Sequence, residues 1–484
     1  MSGTQVVVVG GGPAGLGAAL EAARAGLEVT LIDERPSLGG QYYKQIPPGW
    51  SSTRSGWLDR QYAEGNKLIA EVLRSGVKIL TDTLVWNIED HNLAVTDEST
   101  VWQIRFDKLI LATGAWELPV ALPGWTLPGV MTGGAAQALV VGQGLLPGRR
   151  ILLAGNGPFQ LRVAAQLVEA GAKVIAILDA GDLITTIRAA LRMVPQGGLI
   201  WEALRYLRTI WKAGVRIYRM HLPIRILGDG HVEGVVASRV DSQWRPVPGR
   251  EISFDVDTVC LTYGFVPSVE LARLAGCRME YRPEAGGWVT WHDADQGTSV
   301  PDIFVAGEAG GIEGARVALL EGRLAGLEAA RQLGVTNRVE YEERRREIDW
   351  ALIRARRPLP VLRDLMRLRP GLFELAMEDT LVCRCEDVSW RDIIAAARRW
   401  DPGLRGVKLW TRAGMGRCQG RICGYLIPRL ISCALGVPVE TISLDTPRPP
   451  VKPLPLLAMA SPKDTELSSI WAWHERRPGR REGQ

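Results

Sequence analysis

The sequence lacks several features that would assign it to a whole class of proteins. No run of about 18 apolar residues occurs, so a transmembrane helix is excluded, and no secretory signal is recognisable. The five histidines are scattered, which disfavours a zinc hydrolase. A net charge of +5 is small for 484 residues and does not indicate a nucleic-acid partner. Seven cysteines without a signal predict a reducing compartment, so we expect a cytoplasmic protein, with peripheral attachment to a membrane as an open option.

The composition is that of a well-packed soluble protein. Hydrophobic residues make up 46% of the chain and charged residues 23%. The length predicts about two to four domains, each large enough to bury its own core.

The N-terminal segment carries a dinucleotide-binding pattern. A β-branched run over 5–9 meets a Gly-rich turn, a helical pattern follows over 14–25, and a second apolar run covers 28–32. In this pattern the first glycine permits the tight turn, the second lets a pyrophosphate approach the backbone, and the third lets the helix pack closely on the strand. The three glycines in these positions are Gly10, Gly12 and Gly15. Because the free N–H groups and dipole of the following helix attract phosphate, the segment predicts a nucleotide site.

An acidic residue stands where a ribose-binding carboxylate belongs. Asp33 follows the second apolar run directly, and Glu34 is the neighbouring alternative. Such a side chain accepts hydrogen bonds from ribose hydroxyls. The pattern does not decide between the two residues.

Three further segments resemble the flavoproteins with two dinucleotide-binding domains, the glutathione-reductase-like fold. They are LGGQ (38–41), LILATGA (109–115) and the strand-to-helix segment 299–326. The resemblance implies an α/β fold that binds FAD, and it implies Glu308 near the ribityl chain, where that family usually has Asp. The implied cofactor-binding residues are Gly10, Gly12, Pro13, Ala14, Gly15, Asp33, Glu34, Gly40, Gln41, Val85, Thr113, Gly114, Gly307, Glu308 and Gly314. Disulfide reductases of this fold carry C-x4-C after the LGG loop; this chain has QYYKQIPPGW there, which excludes dithiol chemistry at the flavin.

A second Rossmann-like unit spans 149–180. Gly155 and Gly157 keep the first two glycine positions, but Gln160 replaces the third, where a side chain pushes the helix away from the strand. Asp179 or Asp182 could accept a ribose. Three interpretations stay open: a site for NAD(P)H, a site for ATP or another nucleotide, and an empty structural relic.

Four cysteines near the C-terminus have metal-ligand spacing. Cys383-x-Cys385 is followed, after 32 residues, by Cys418-x4-Cys423. Four thiolates can hold a tetrahedral zinc ion or a [2Fe–2S] cluster, and buried reduced thiols are the remaining alternative. The spacing, with its surrounding glycines, resembles the bacterioferritin-associated-ferredoxin-like [2Fe–2S] domain. The isolated Cys260, Cys277 and Cys433 are expected in the core.

The predicted organisation has a split first domain. The chain as a whole comprises a split FAD-binding domain (1–118 plus 290–340), a second Rossmann-like domain (119–289), an Arg-rich linker (341–378), a [2Fe–2S] domain (379–440), and a Pro-rich arm with a disordered tail (441–484). The chain crosses between the first two domains near 119–131 and 261–276. The linker's arginines predict a solvated or salt-bridged face, or else a docking surface.

The motif order resembles one family along nearly the whole chain: the larger, electron-transfer (α or A) subunit of flavin-dependent amino acid dehydrogenases. The group includes opine oxidase, D-hydroxyproline dehydrogenase, dye-linked proline dehydrogenase and hydrogen cyanide synthase. The resemblance implies FAD and [2Fe–2S], with FMN at a subunit interface and ATP or another nucleotide as further options. It also implies a β subunit of D-amino-acid-oxidase-like fold that oxidises a C–N bond, an optional small γ subunit, and an external electron acceptor. No catalytic residue is predicted on this chain. The alternative is a self-contained NAD(P)H- or glycerol-3-phosphate-type oxidoreductase.

Overall fold

The computed structural model describes residues 5–45, 58–194, 197–461 and 463. Two parallel sheets of five strands each organise these residues, with smaller antiparallel sheets beside them. The predicted α/β class is confirmed.

The strands are, in chain order, β1 (Val6–Val9), β2 (Val29–Ile32), β3 (Lys78–Leu80), β4 (Leu84–Glu89), β5 (Asn92–Thr96), β6 (Val101–Arg105), β7 (Lys108–Leu111), β8 (Ala115–Glu117), β9 (Val130–Thr132), β10 (Arg150–Gly155), β11 (Lys173–Asp179), β12 (Arg216–Arg219), β13 (His221–Leu227), β14 (Gly234–Val240), β15 (Pro246–Asp255), β16 (Thr258–Thr262), β17 (Phe265–Pro267), β18 (Met279–Arg282), β19 (Gly287–Thr290), β20 (Ile303–Val305), β21 (Leu381–Cys383) and β22 (Val388–Ser389). The helices are α1 (Pro13–Arg24), α2 (Leu58–Arg74), α3 (Gly133–Gln137), α4 (Pro158–Glu169), α5 (Leu183–Arg192), α6 (Gly197–Lys212), α7 (Glu270–Leu274), α8 (Ala315–Gln332), α9 (Arg338–Arg356), α10 (Leu359–Met366), α11 (Trp390–Arg399), α12 (Leu404–Thr411), α13 (Cys423–Leu435) and α14 (Leu456–Met459). Among the helices of the described residues, none is long and apolar enough to cross a membrane.

The first parallel sheet has the strand order β20-β7-β1-β2-β3. Strand β1 is buried along its whole length, because one face of the sheet packs against α1 and α8 and the other against the β4–β5–β6 sheet. Burial on both faces explains why the sequence there is continuously apolar rather than alternating. The chain leaves β1 toward β2 on one side, while β7 and β20 lie on the other, so the carboxyl end of β1 is a topological switch point.

Helices α1 and α8 cross at very short range. A Cβ atom on Gly322 would lie 1.9 Å from the carbonyl oxygen of Ala14, and one on Gly326 would lie 2.4 Å from that of Ala18. These small residues let both helices begin at the same edge of the sheet, close to the end of β1.

The second parallel sheet has the order β12-β11-β10-β16-β9. Strands β8 and β17 pair antiparallel with each other. They form a two-stranded crossing ribbon, which carries the chain between the two sheets. Strand β17 lies within the crossing predicted at 261–276, whereas the whole of β8 lies just before the crossing predicted at 119–131.

The arginines of α9 and α10 are largely used inside the molecule. Arg344 pairs with Glu21, a residue of α1 that is only 4% exposed. Arg356 and Arg363 both pair with Glu313, each at 2.7 Å. These ion pairs favour the salt-bridged interpretation of the Arg-rich segment over a docking surface.

The cysteine-bearing segment from β21 to α13 packs over the crossing ribbon. The indole of Trp125 donates to the carbonyl of Leu381 at 2.6 Å, and the hydroxyl of Tyr425 donates to that of Pro267 at 2.5 Å. Apolar residues of α11, α12 and α13 join the core of the second sheet. The segment is therefore fixed against the crossing between the sheets and against the second parallel sheet.

The Pro-rich arm returns to the antiparallel β4–β5–β6 sheet beside the first parallel sheet. The amide of Val451 donates to Trp86 at 3.1 Å, and that of Lys463 donates to Val101 at 2.9 Å. The arm is extended as predicted, apart from α14, and it wraps its own chain. The tail predicted to be disordered, 474–484, lies outside the described residues.

Candidate functional site

A cleft of about 1010 Å³ opens at the carboxyl edge of the first sheet. Its walls come from both parallel sheets, the cysteine-bearing segment and the arm. Of the predicted cofactor-binding residues, all except Gly15 and Gly307 line it. The structure thus gathers residues from widely separated parts of the sequence into one site.

The glycine turn has the geometry that a pyrophosphate site requires. A Cβ on Gly15 would lie 1.7 Å from the carbonyl oxygen of Gly10, so Gly15 lies behind the turn rather than in the cleft. A Cβ on Gly12 would meet only Gly40, at 3.9 Å, which leaves open space beside this backbone. Gly12 is also the residue before α1, and Pro13 occupies the first helical position.

The two candidate ribose acids have different surroundings. Asp33 accepts hydrogen bonds from the amides of Gly11 at 2.5 Å and Arg35 at 2.8 Å, and burial raises the pKa of its carboxyl group. Glu34 also lines the cleft, where it forms an ion pair with Lys452 of the arm. Asp33 is therefore the carboxylate held against the glycine turn.

The start of α8 supplies the opposite end of the cleft. Gly307 lies behind the surface, where its amide donates to Glu321 at 2.9 Å and a Cβ would lie 2.8 Å from that of Ala14. Glu308 lines the cleft, and loss of solvation raises the pKa of its carboxyl group to about 7. Among the described residues no side chain hydrogen-bonds to this carboxyl group. An uncommitted acid of this kind fits a hydroxylated ligand chain.

Glu117 is a cleft residue that the sequence reasoning missed. Both of its carboxylate oxygens lie 2.8 Å from the amide of Gly134, near the start of α3, and burial raises the pKa of the carboxyl group. Lys44 lies close enough to act on it electrostatically, and burial lowers the pKa of Lys44 to about 8. Trp116 and Arg162 line the cleft beside them. Nothing in the ATGAWELP pattern marks these residues, because their roles depend on the crossing ribbon.

The second glycine turn is covered by the chain itself. A Cβ on Gly157 would lie 2.8 Å from Cγ of Met366 at the end of α10. The amide of the Asn156 side chain donates to the carbonyl of Leu365 at 3.5 Å. A phosphate cannot approach this backbone while α10 is in place.

The acid of the second unit is also occupied. Asp179 pairs with Arg219 at 3.0 Å and accepts a hydrogen bond from the amide of Gly181 at 3.0 Å. Gln160 is 1% exposed and hydrogen-bonds to Asp179. Asp182 caps α5 through the amide of Thr185 at 2.7 Å. Of the three interpretations of this unit, the geometry favours the structural relic.

The four clustered cysteines come together as two pairs. The Cys383 thiol lies close enough to that of Cys423 to shift its pKa, and the Cys418 thiol acts in the same way on Cys385. The Cys423 thiol and nearby backbone amides, including that of Gly414, lower the pKa of Cys383 to about 5. No single point among the described residues is surrounded by three or more His, Cys, Asp or Glu side chains at metal-binding distance. Four thiols gathered in this way supply the ligands that a [2Fe–2S] cluster or a tetrahedral zinc ion requires.

The cysteine site and the nucleotide site share a wall. Cys418 lines the same cleft as the glycine turn, together with Arg384 and Arg421. The Arg384 guanidinium lies 5.3 Å from the centre of the Trp125 ring, and that of Arg421 lies 6.0 Å from the centre of Trp116. A group held by the cysteines would therefore adjoin a ligand in the cleft.

The three remaining cysteines differ in their exposure to solvent. Cys260 and Cys277 are buried, as predicted. Cys433 is exposed, so the prediction of a core position is wrong for this residue. It lies near the end of α13, past the buried part of that helix.

Comparisons with known proteins agree with this geometry. Residues 4–322 match the pyridine nucleotide-disulphide oxidoreductase family, and residues 381–432 match the BFD-like [2Fe-2S] binding domain. The chain is 34% identical to the A subunit of opine oxidase from Rhizobium meliloti (strain 1021), over 94% of this chain and 98% of that protein. The chain belongs to the pyridine nucleotide-disulphide oxidoreductase family, in the group that contains the opine oxidase A subunits.

A further relative and a solved structure extend these comparisons. The hydrogen cyanide synthase subunit HcnB of Pseudomonas protegens is 31% identical, over 96% of this chain and 98% of that protein. The crystal structure of L-proline dehydrogenase from P. horikoshii has the same fold, with a TM-score of 0.66 and 23% identity over 93% of this chain and 78% of that one. The predicted family is confirmed, and this family of flavoproteins with an appended cluster domain implies FAD and [2Fe–2S] as cofactors.

Proposed function

We propose that this chain is the electron-transfer subunit of a flavin- and iron–sulfur-dependent dehydrogenase. The enzyme oxidises a C–N bond of an amino acid, an imino acid or an opine, and the substrate site lies on a partner β subunit. One observation carries the proposal: Cys418 lines the cleft that holds the nucleotide-binding residues. The names of relatives such as opine oxidase support the substrate class.

FAD fits the first cleft through this chain's own residues. We assign the pyrophosphate to the backbone at Gly12 and to the Ala14 amide in the first turn of α1. The Gly11 amide is already bonded to Asp33, and Pro13 has no N–H. We assign the ribose to Asp33 and the ribityl chain to Glu308. Asp33 is preferred to Glu34 because Glu34 is already paired with Lys452. Bound FAD would supply a group that can take up two electrons together and give them up one at a time. ATP or another nucleotide in this cleft, and FMN at a subunit interface, are the alternatives that extraction of the cofactor distinguishes.

We assign the [2Fe–2S] cluster to Cys383, Cys385, Cys418 and Cys423. The two cysteine pairs supply four thiolate ligands, and a bound cluster accepts and passes on one electron at a time. A Cβ on Gly416 would lie 2.2 Å from that of Cys385, so this loop closes only with glycine there. The nearby guanidinium groups of Arg384 and Arg421 offset negative charge at the ligands.

The partner is a β subunit of D-amino-acid-oxidase-like fold. A small γ subunit, together with an external electron acceptor, completes the proposed system.

An exposed apolar face on α5 and α6 supports a permanent partner. Trp201 is 74% exposed and Trp211 78%. The other exposed apolar residues of this face are Leu183, Ile184, Ile187, Leu191, Val194, Leu199 and Leu204. Monomeric proteins rarely leave so large an apolar surface open to water.

The proposal is tested by activity with and without the partner. The chain, tagged and purified from its own cells, should bring down a D-amino-acid-oxidase-like protein, and the pair should reduce an artificial dye with an amino acid, proline or an opine as donor. The lone chain should be inactive with all three donors. Turnover by the lone chain would contradict the assignment of the substrate site to another chain. Fractionation of the same cells separates a cytoplasmic enzyme from one attached peripherally to the membrane.

A further inference from the structure

The C-terminal arm contributes a wall of the nucleotide cleft. Val451 and Lys452 both line the cleft, although they follow the glycine turn by more than 400 residues in the sequence. Val451 is 8% exposed and packs in the same apolar cluster as Val85. The arm here is thus part of the site rather than a loose strap.

The position of the arm is fixed from two sides. On one side Val451 donates its amide to Trp86 at 3.1 Å. On the other side Gln419 donates to the carbonyl of Pro450 at 2.9 Å, and Arg421 donates to the carbonyl of Val451. Gln419 and Arg421 belong to the loop between two cluster cysteines, so that loop and β4 together set the place of Lys452.

Lys452 has two partners inside the site. Its ammonium group pairs with the carboxylate of Glu34, and it lies 5.4 Å from the centre of the Trp116 ring. The Lys452 side chain is 25% exposed, so the pair is partly shielded from water. Without Lys452, Glu34 would carry an uncompensated negative charge at the rim of a site built for an anionic phosphate ligand.

We propose that Lys452 is a nucleotide-positioning residue: it holds the Glu34 carboxylate at the rim, so that Asp33 alone faces the ribose, and neutralises its charge beside the phosphates. The proposal rests on the proposed function only in that the cleft binds a dinucleotide. It adds a binding element that the arm supplies, and it couples nucleotide affinity to the loop that carries Cys418.

A matched control lies further along the same arm. Lys463 also makes an ion pair, with Asp97 at 3.0 Å, and also lies over an indole ring, at 4.1 Å from the centre of Trp102. It does not line the cleft. Lys463→Gln therefore removes the same kinds of contact from the arm without touching the site.

The experiment measures the dissociation constant of FAD for the apo-form of the full chain, by fluorescence titration. Lys452→Gln should weaken binding about tenfold, the scale of one charge-assisted contact, while Lys463→Gln and Lys452→Arg should bind as wild type does. The double variant Glu34→Gln/Lys452→Gln should recover affinity to within about twofold, because the charge that Lys452 neutralises is gone. Thermal unfolding and iron content of each variant show whether the fold and the cluster segment are intact.

Two results would overturn the proposal: wild-type affinity in Lys452→Gln, or no recovery in the double variant. Failure of the proposed function gives a different result, since the wild-type chain itself would then not bind FAD. A general loosening of the arm is also distinguishable, because it would affect Lys463→Gln as much as Lys452→Gln.

Discussion

Arg219 pairs with Asp179 at 3.0 Å, at the end of β11 where a ribose-binding carboxylate would have to be free. Together with Met366 over Gly157, this pair blocks both halves of a nucleotide site in the second Rossmann-like unit. The unit keeps the sheet and helix of a nicotinamide domain while its binding surface is used for internal packing. We therefore expect the second unit not to draw electrons from NAD(P)H.

We expect NADH and NADPH not to bleach the flavin of the purified chain. Because α10 covers the turn at Gly157, neither dinucleotide has a phosphate site next to β10. The measurement is the absorbance of the flavin after anaerobic mixing, with dithionite as the control that proves the flavin reducible. Rapid bleaching by either nucleotide would restore the second unit as a working site.

Cys418→Ser should remove the iron–sulfur absorption and leave the flavin in place. One thiolate of four is lost, whereas the glycine turn is untouched. Cys433→Ser is the matched control, since Cys433 is exposed and lies outside the two cysteine pairs. Visible spectra and iron content check the prediction, and an unchanged cluster in Cys418→Ser would refute the ligand assignment.

Asp33→Ala should weaken FAD binding about tenfold or more, because it removes the carboxylate held against the glycine turn. Glu34→Gln should change the affinity by less than about threefold, because its carboxylate is already paired with Lys452. Titration of the apo-protein with FAD compares the two. The reverse ranking would move the ribose site to Glu34.

Glu308 predicts a pH dependence of stability in the apo-protein. Its pKa is raised from 4.5 to about 7 by loss of solvation, so folding favours the neutral acid. This contribution is fully present below pH 4.5 and is lost as the pH rises through about 7. Glu308→Gln should therefore raise the free energy of unfolding at pH 8, relative to wild type, with little change at low pH.

The control variant for this experiment, Glu328→Gln, should change the free energy of unfolding in the opposite direction. Burial by itself would raise the pKa of Glu328, but hydrogen bonds from Arg331 and Gln332 outweigh it and lower that pKa, so the charged form stabilises the fold at pH values above 4.5. Glu328→Gln should accordingly lose stability at pH 8. Urea unfolding of the apo-proteins at the two pH values measures both effects, and equal shifts for both variants would contradict the account.

Trp201→Asp should weaken binding of the partner subunit by about 30-fold, the scale of a buried aromatic anchor, without loss of flavin or iron. Trp350→Asp is the control, because Trp350 is 65% exposed on a different helix, α9, which packs against α8. Co-purification of the partner from matched preparations is the measurement. Retention of the partner by Trp201→Asp would place the interface elsewhere.

The parts of the fold that follow local rules could be predicted from the sequence. The apolar run before Gly10 and the helix that begins at Pro13 lie where the glycine pattern places them. The short loops also predicted that Cys383 lies near Cys385 and that Cys418 lies near Cys423. The approach of Cys383 to Cys423 and of Cys385 to Cys418 depends on how the whole segment packs. The domain boundaries stay a prediction.

The contacts that complete the site could not be predicted, because they join residues far apart in the chain. Lys452 meets Glu34 across a separation of 418 residues. Met366 covers Gly157 only because α10 packs beside α5, and no pattern near the turn signals it. The position of Cys418 on the cleft wall likewise follows from how its segment packs over the crossing ribbon.

The most direct test of the central claim is the cofactor content of the purified wild-type chain, measured by visible and electron paramagnetic resonance spectra with iron and extracted-flavin assays. The account predicts one FAD and about two iron atoms per chain, with a [2Fe–2S] signal after reduction. Zinc in place of iron at the four cysteines, or a chain that carries neither flavin nor iron, would contradict it.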